Sequence, residues 1–496
     1  MKEKIEQFKK LQRTLHAKSH LMGVLSFDSE TQAPKGSTDG RGETMAMLSE
    51  EIFTLQTSPE AFALIDELKN AKDIDPITAR QVELMDRELK MLKNMPMQEY
   101  IDYQVLLNKS HEVWAEAKVN NDFASFAPYL EKIIQANIRM AGYIDSSKKP
   151  YDALLGQYEY GYGMADYDPF FTAMQKNLVP IILEIGKRPA PNTSFLETSY
   201  PIEQQKALSQ RVMDIMGIDK RYCALSESEH PFTTHFNKHD VRITTHYYEN
   251  AVDSSLYSVL HEGGHALYEL HTGDTLQNSN LATGTSLGMH ESQSRFYENI
   301  IGRNKAFTNR LLVLMQEIFP TQLQNVSQEE FYRALNKVSP SLIRIEADEL
   351  TYSLHVLIRY EIEKKLISGE LAVADAPAYW NKLYKDYLGV DVPNDSQGIL
   401  QDVHWALGSI GYFPTYALGS AYGAQMLHAM QKQIDFQACL ESGDIAPVSK
   451  WLEENIHVHG SMLDPKQILE QCCGEAFNPQ YYFDYLSNKF KEIYQL

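Results

Sequence analysis

Helical periodicity runs through almost the whole of this 496-residue chain, and only one short stretch has the character of a β-strand. Apolar residues recur at three- and four-residue spacing over 5–19, 42–56, 60–71 and 75–93. The last segment opens on Asp75 as a helix cap with Pro76 in the first turn, where a missing N–H does no harm. The exception is VRITTHYY at 241–248, dense in β-branched and aromatic residues. Breaks at PKGSTDGRG, KRPAPNTS and VPNDSQG gather Pro, Gly, Asn and Ser, yet none is long enough to be a flexible linker. The expectation is one mainly helical domain over 1–496, with a single small sheet just upstream of the most informative helix.

That helix reads SSLYSVLHEGGHALYELH over 254–271 and contains H-E-x-x-H. Residues four apart share one helical face, so His261 and His265 can point at one metal ion. Glu262 lies ~100° around from His261, within reach of a water on that ion without ligating it. Ser258, His261, Glu262, His265 and Glu269 fall in one sector, and Leu256, Val259, Leu260, Ala266, Leu267 and Leu270 in the opposite one. Gly263 and Gly264 weaken a helix by roughly 1 kcal/mol each relative to Ala. Their place between the histidines points instead to close approach by metal or neighbouring backbone.

Two histidines leave a catalytic site short of a third protein ligand. His271 would extend the motif to H-E-x-x-H-x-x-G-x-x-H, but Tyr268 stands where that pattern needs Gly. A continuing helix places His271 ~240° around from His265. Glu269 is on the right face but ~12 Å along the axis from His261. Glu291, in GMHESQSRFYENIIG, can arrive on a second, crossing helix, and a His2Glu set is a known catalytic zinc arrangement. Glu291 is therefore preferred.

The chain also resembles a known family. HPF at 230–232, DVRIT at 240–244, HEGGH at 261–265, HESQ at 290–293, IRIEAD at 343–348 and GILQDVHW at 398–405 occur in the order of the thermostable carboxypeptidase (carboxypeptidase Taq) family of zinc metallocarboxypeptidases. FDSETQAPKG near the N-terminus is similar as well, so the likeness spans the chain. It implies a two-lobed helical body with a deep central groove, similar to neurolysin and angiotensin-converting enzyme, and a homodimer. It places metal ligands at His261, His265 and Glu291 and the general base at Glu262. It makes Arg344 the clamp for the terminal carboxylate of the substrate, a task suited to a planar bidentate donor.

Other readings of these residues compete. Arg344 and Asp348 are four apart on a predicted helix, which would allow a simple ion pair. Arg242 competes for the clamp, or pairs with Asp240 on a strand. His230 and His404 could donate to the peptide carbonyl or carboxylate, although lone histidines are usually structural. Tyr416, and after it Tyr412, is the choice for stabilising the oxyanion, by analogy with angiotensin-converting enzyme. The strand around Ile243 is expected to align substrate by edge pairing.

The bulk properties agree. The formal charge of −20 disfavours nucleic acid and anionic membrane as partners. MKEKIEQFKK has no apolar secretory core, and LVPIILEI falls short of the ~20 residues that span a bilayer. Cys223, Cys439, Cys472 and Cys473 show no CxxC spacing and read as reduced thiols of a cytoplasmic protein. The expected activity is zinc-dependent release of single amino acids from peptide C-termini, with broad specificity and cobalt as a possible substitute metal. An endo-acting or dipeptide-releasing peptidase with the same centre and a catalytically idle scaffold are the alternatives.

Overall fold

The computed structural model describes residues 1–496 and places twenty-one α-helices around one three-stranded sheet. The segment read as 5–19 is the start of a longer helix, Lys2–Thr31, which stops just short of Pro34, before which helical backbone is disfavoured. Thr38–Gln56, Pro59–Lys69 and Pro76–Asn94 follow. Asp75 caps the last of these, accepting from the Thr78 amide at 3.0 Å.

The sheet contains β1 (Cys223–Glu227), β2 (Thr233–Asn237) and β3 (Asp240–Thr245), in the order β1-β3-β2. A two-residue turn joins β2 to β3, pinned by the Asn237 side chain accepting from the His239 amide at 2.8 Å. The expectation of edge pairing at Ile243 is overturned. β3 is the central strand, and Ile243 sits opposite Leu225 on one side and Thr233 on the other. Its backbone is already paired to both neighbours, and the open ladder belongs to β1 and β2.

One core of 100 buried residues runs through most of the molecule, whereas the first helices have a separate core of seven, from Phe8 to Leu89. The central helix, Val252–Leu270, packs its apolar face into the large core, with Leu256, Val259, Leu260, Ala266 and Leu267 almost wholly buried. Its other face is covered as well: Ser258 donates to Thr245 of β3 at 3.0 Å, and Glu262 and Glu269 are both buried.

Leu287–Arg295 crosses this helix at Gly264. A Cβ there would lie 2.6 Å from the Gln293 carbonyl oxygen and 2.8 Å from Ser294 Cα, so only glycine permits the crossing. Gly263 faces side chains instead, the Met216 thioether and Ile218. Pro414–Met430 closes over the far side of Leu287–Arg295, where Gly419 leaves room for Glu291. After Arg295 the chain widens into a π-helical turn, Phe296–Ile301. No helix is long and apolar enough to cross a membrane, and all four cysteines are free thiols.

Candidate metal centre and active site

The crossing of the two helices brings three candidate ligands together. His261 Nε2 lies 3.7 Å and His265 Nε2 3.5 Å from the same atom, Glu291 Oε2. Ligand atoms held ~2.0–2.2 Å from a tetrahedral ion sit roughly 3.3–3.6 Å apart, so these separations nearly match an ion's first shell. All three ligand atoms lie within 4.8 Å of one another.

Each ligand is held from behind. His261 Nδ1 meets Glu298 Oε2 at 2.8 Å, and His265 Nδ1 meets His290 Nδ1 at 2.5 Å. Glu291 Oε1 accepts from Arg295 Nε at 2.8 Å. Burial presses His261 toward its neutral form, but Glu291 and Glu298 outweigh it and raise its pKa to about 9. Burial lowers His265, whose nearest ring is another imidazole, and there the carboxylates do not prevail. Burial would raise Glu291, yet Arg295 and His261 hold it well below the usual carboxylate range. Anionic groups that draw a proton onto a buried imidazole also favour a cation there. The donor set therefore fits a borderline divalent ion.

Glu262 follows His261 on the same helix, and its Oε2 accepts from Thr233 Oγ1 of β2 at 2.6 Å. The sheet thus fixes the carboxylate's orientation.

Arg344 is not on a helix with Asp348, and that expectation is corrected. It occupies a single 3-10 turn, Arg344–Glu346, while Asp348 accepts from the Ser339, Leu350 and Thr351 amides. Its partner is Asp402, reached by Nε at 3.1 Å and Nη2 at 2.8 Å, while Nη1 donates to Tyr352 at 3.0 Å. Arg295 stacks on the same Tyr352 ring, 4.2 Å from its centroid, and so connects Arg344 to Glu291. Arg344 also lies 5.0 Å over the Tyr416 ring.

Tyr412 and Tyr416 pack edge to face, 5.3 Å apart, and the Tyr416 hydroxyl is 3.5 Å from His404 Nε2. Burial and the neighbouring Arg344 push His404 down to about 4, so it is neutral at ordinary pH. Arg242 forms two 3.0 Å bonds to Asp240 and stacks against Phe27 and Phe236. His230 is exposed on the loop between β1 and β2.

The family model for carboxypeptidase Taq (M32) metallopeptidases matches residues 7–490. The chain belongs to this family. It is 42% identical to carboxypeptidase 1 of Bacillus subtilis over 494 residues, covering 99% of this chain and 98% of that protein. It is 36% identical to thermostable carboxypeptidase 1 of Pyrococcus furiosus, covering 98% of each. The crystal structure of the M32 carboxypeptidase from Deinococcus radiodurans R1 superposes with a TM-score of 0.96 at 33% identity, over the full length of both chains. The protein is a metallocarboxypeptidase.

The M32 metallopeptidase holds several site residues that sequence reasoning missed. Glu298, Arg295, His290, Thr233, Tyr352 and Asp402 all touch a candidate ligand, Glu262 or Arg344. Glu291, Arg295 and Glu298 stand at i, i+4 and i+7, a spacing that places them on one helical face. Glu269, set aside as a ligand, is buried against His290 at 2.7 Å. His271 caps the end of the central helix and pairs with His457 at 3.1 Å, away from the cluster.

Proposed function

We propose that this metallocarboxypeptidase is a zinc enzyme that releases single amino acids of broad identity from peptide C-termini. His261, His265 and Glu291 would hold the ion, and cobalt suits the same donors. The observation that carries the reading is the convergence of both imidazole Nε2 atoms on one Glu291 oxygen. When bound, zinc supplies Lewis acidity, polarising the scissile carbonyl and making a coordinated water more acidic.

The chain's own residues do the rest. Glu262 takes the proton of the attacking water and passes it to the departing amine. Burial and the nearby Tyr352 and Tyr412 phenols raise the Tyr416 pKa, so its hydroxyl stays protonated and can donate to the developing oxyanion. Tyr412 is the second choice for this role, and neutral His404 adds a further donor.

Arg344 fixes the terminal carboxylate. Three of its five N–H groups are committed to Asp402 and Tyr352, which leaves two for a substrate. Arg242, already held by Asp240, is the weaker clamp, and His230, exposed on the loop before β2, would donate to the peptide in this reading. Holding the carboxylate puts the last peptide bond at the metal. Peptides are the substrates in this reading. By resemblance the assembly is a homodimer, which light scattering would test, and the compartment is the cytoplasm.

The test is time-resolved mass spectrometry of an N-terminally blocked peptide, before and after chelation and zinc re-addition. Stepwise loss of single residues that stops on chelation supports the proposal. Internal fragments that vanish on chelation would leave the metal centre standing and defeat the exopeptidase claim, while released dipeptides would defeat only the release of single residues. No metal-dependent cleavage of any peptide would favour an idle scaffold.

A further inference from the structure

We infer that His290 and Glu269 form a relay that fixes the tautomer and aim of His265, a positioning role resting on the zinc reading above. His265 Nδ1 and His290 Nδ1 are 2.5 Å apart, so one nitrogen carries a proton and the other accepts it. His265 can ligate through Nε2 only if that nitrogen is bare, which puts the proton on its Nδ1. His290 Nδ1 is then the acceptor, and its remaining proton sits on Nε2. That nitrogen is 2.7 Å from Glu269 Oε1, an atom able only to accept while the carboxylate is ionised. Every link has a donor facing an acceptor, and the direction is set from the Glu269 end.

Glu269 is itself immobilised. Its side chain is 1% exposed, and Oε1 also accepts from Thr283 Oγ1 at 2.9 Å and the Gly284 amide at 3.3 Å. His235 of β2 approaches the other oxygen at 3.3 Å. Metal-bound histidines usually donate directly to a carboxylate or carbonyl, as His261 does to Glu298. His265 has an imidazole interposed instead. The position that sequence reasoning left ~12 Å from His261 thus acts on the centre from a distance.

The test compares His290→Asn, which keeps an acceptor near the Nδ1 position, with His290→Leu, which fills the space without one. Zinc affinity is read by chelator competition. In the metal-free protein the His265 tautomer is read by 15N NMR on histidine-labelled chain, assigned by signal loss in His265→Gln. We expect His290→Leu to weaken zinc roughly 10–100-fold and His290→Asn to recover most of that loss. Metal-free wild type should show His265 protonated on Nδ1, and Glu269→Gln should blur that preference. Equal affinities for the Leu and Asn variants, or an Nε2–H tautomer in wild type, would overturn the relay. If His290→Leu does not fold, the tautomer in wild type and Glu269→Gln decides. If wild type takes up no zinc, the functional reading falls, and the NMR result alone judges the relay.

Discussion

Gly264 of the central helix and Gln293 of the crossing helix meet backbone to backbone, with space for a hydrogen atom and nothing larger. Gly264→Ala would drive a methyl group against the Gln293 carbonyl, which cannot rotate away. Overpacking of this kind costs roughly 1–3 kcal/mol, and the better helix propensity of Ala recovers only about 1 kcal/mol. Because the displaced helix carries Glu291, zinc affinity should fall along with the melting temperature. Gly263→Ala meets the flexible end of Met216 and should stay within about 1 kcal/mol of wild type. Calorimetry and chelator competition on the two variants check the contrast.

Glu262→Gln should keep the metal and lose about 10²–10⁴-fold in kcat, the usual range for a general base. Thr233→Val removes the hydrogen bond that aims Glu262 and should lower kcat by roughly tenfold or more, with little change in KM. Retained zinc in both variants, measured by elemental analysis, separates loss of the base from loss of the site.

Asp402 lies between the buried guanidinium groups of Arg344 and Arg359. Asp402→Asn should cost roughly 3–5 kcal/mol in denaturant unfolding, since both cations lose their counter-charge. Burial alone would raise the Asp402 pKa, but Arg359 and Arg344 hold it well below the usual range. A depressed folded pKa means stability that is present above the unfolded value of about 3.9 and lost as pH falls through the folded one. Wild type should therefore lose this contribution in acid, and the Asn variant should lack that part of the decline.

Glu159 receives hydrogen bonds from the Gly288 amide, Ser286 and Tyr422 at the start of the helix that carries Glu291. Burial raises its pKa from 4.5 to about 7 against those donors. A raised folded pKa contributes stability that is complete below about 4.5 and lost as pH rises through about 7. The span corresponds to about 3 kcal/mol. Glu159→Gln cannot ionise, so its stability between pH 5 and 8 should be flatter than that of wild type in pH-resolved urea titrations.

Arg344→Ala should raise KM for free-carboxylate peptides far more than for C-terminally amidated ones, and Arg344→Lys should not restore the difference, since it lacks the planar pair of donors. Steady-state kinetics on matched peptides reads this directly.

The central helix was legible because its chemistry is written at local spacing: His261 and His265 one turn apart, and an apolar face opposite. Glu291 could be chosen because the nearer alternatives failed on helical geometry. The partner of Arg344 could not be found this way, since Asp402 is 58 residues away and no local period reports it. IRIEAD was misread as helix because its charges sit four apart, whereas Asp348 turns its carboxylate back onto three amides. VRITT was recognisable as a strand, but its central place depends on parallel pairing with CALSE, a segment of weak strand character. The bond between His265 and His290 spans 25 residues and exists only because two helices cross.

The small separate core of the first helices has a consequence for cooperativity. Although Arg80 and Arg87 tie Pro76–Asn94 to Asp464, helix Thr38–Gln56 of the same N-terminal layer buries no side chain and lies beside a core of only seven residues. It should open sub-globally, exchanging amide protons well before the helices around Glu291 do. His20 of the same layer stacks on Phe236 of β2, the strand that carries Thr233. Opening of this layer would therefore be felt at the strand whose Thr233 orients Glu262.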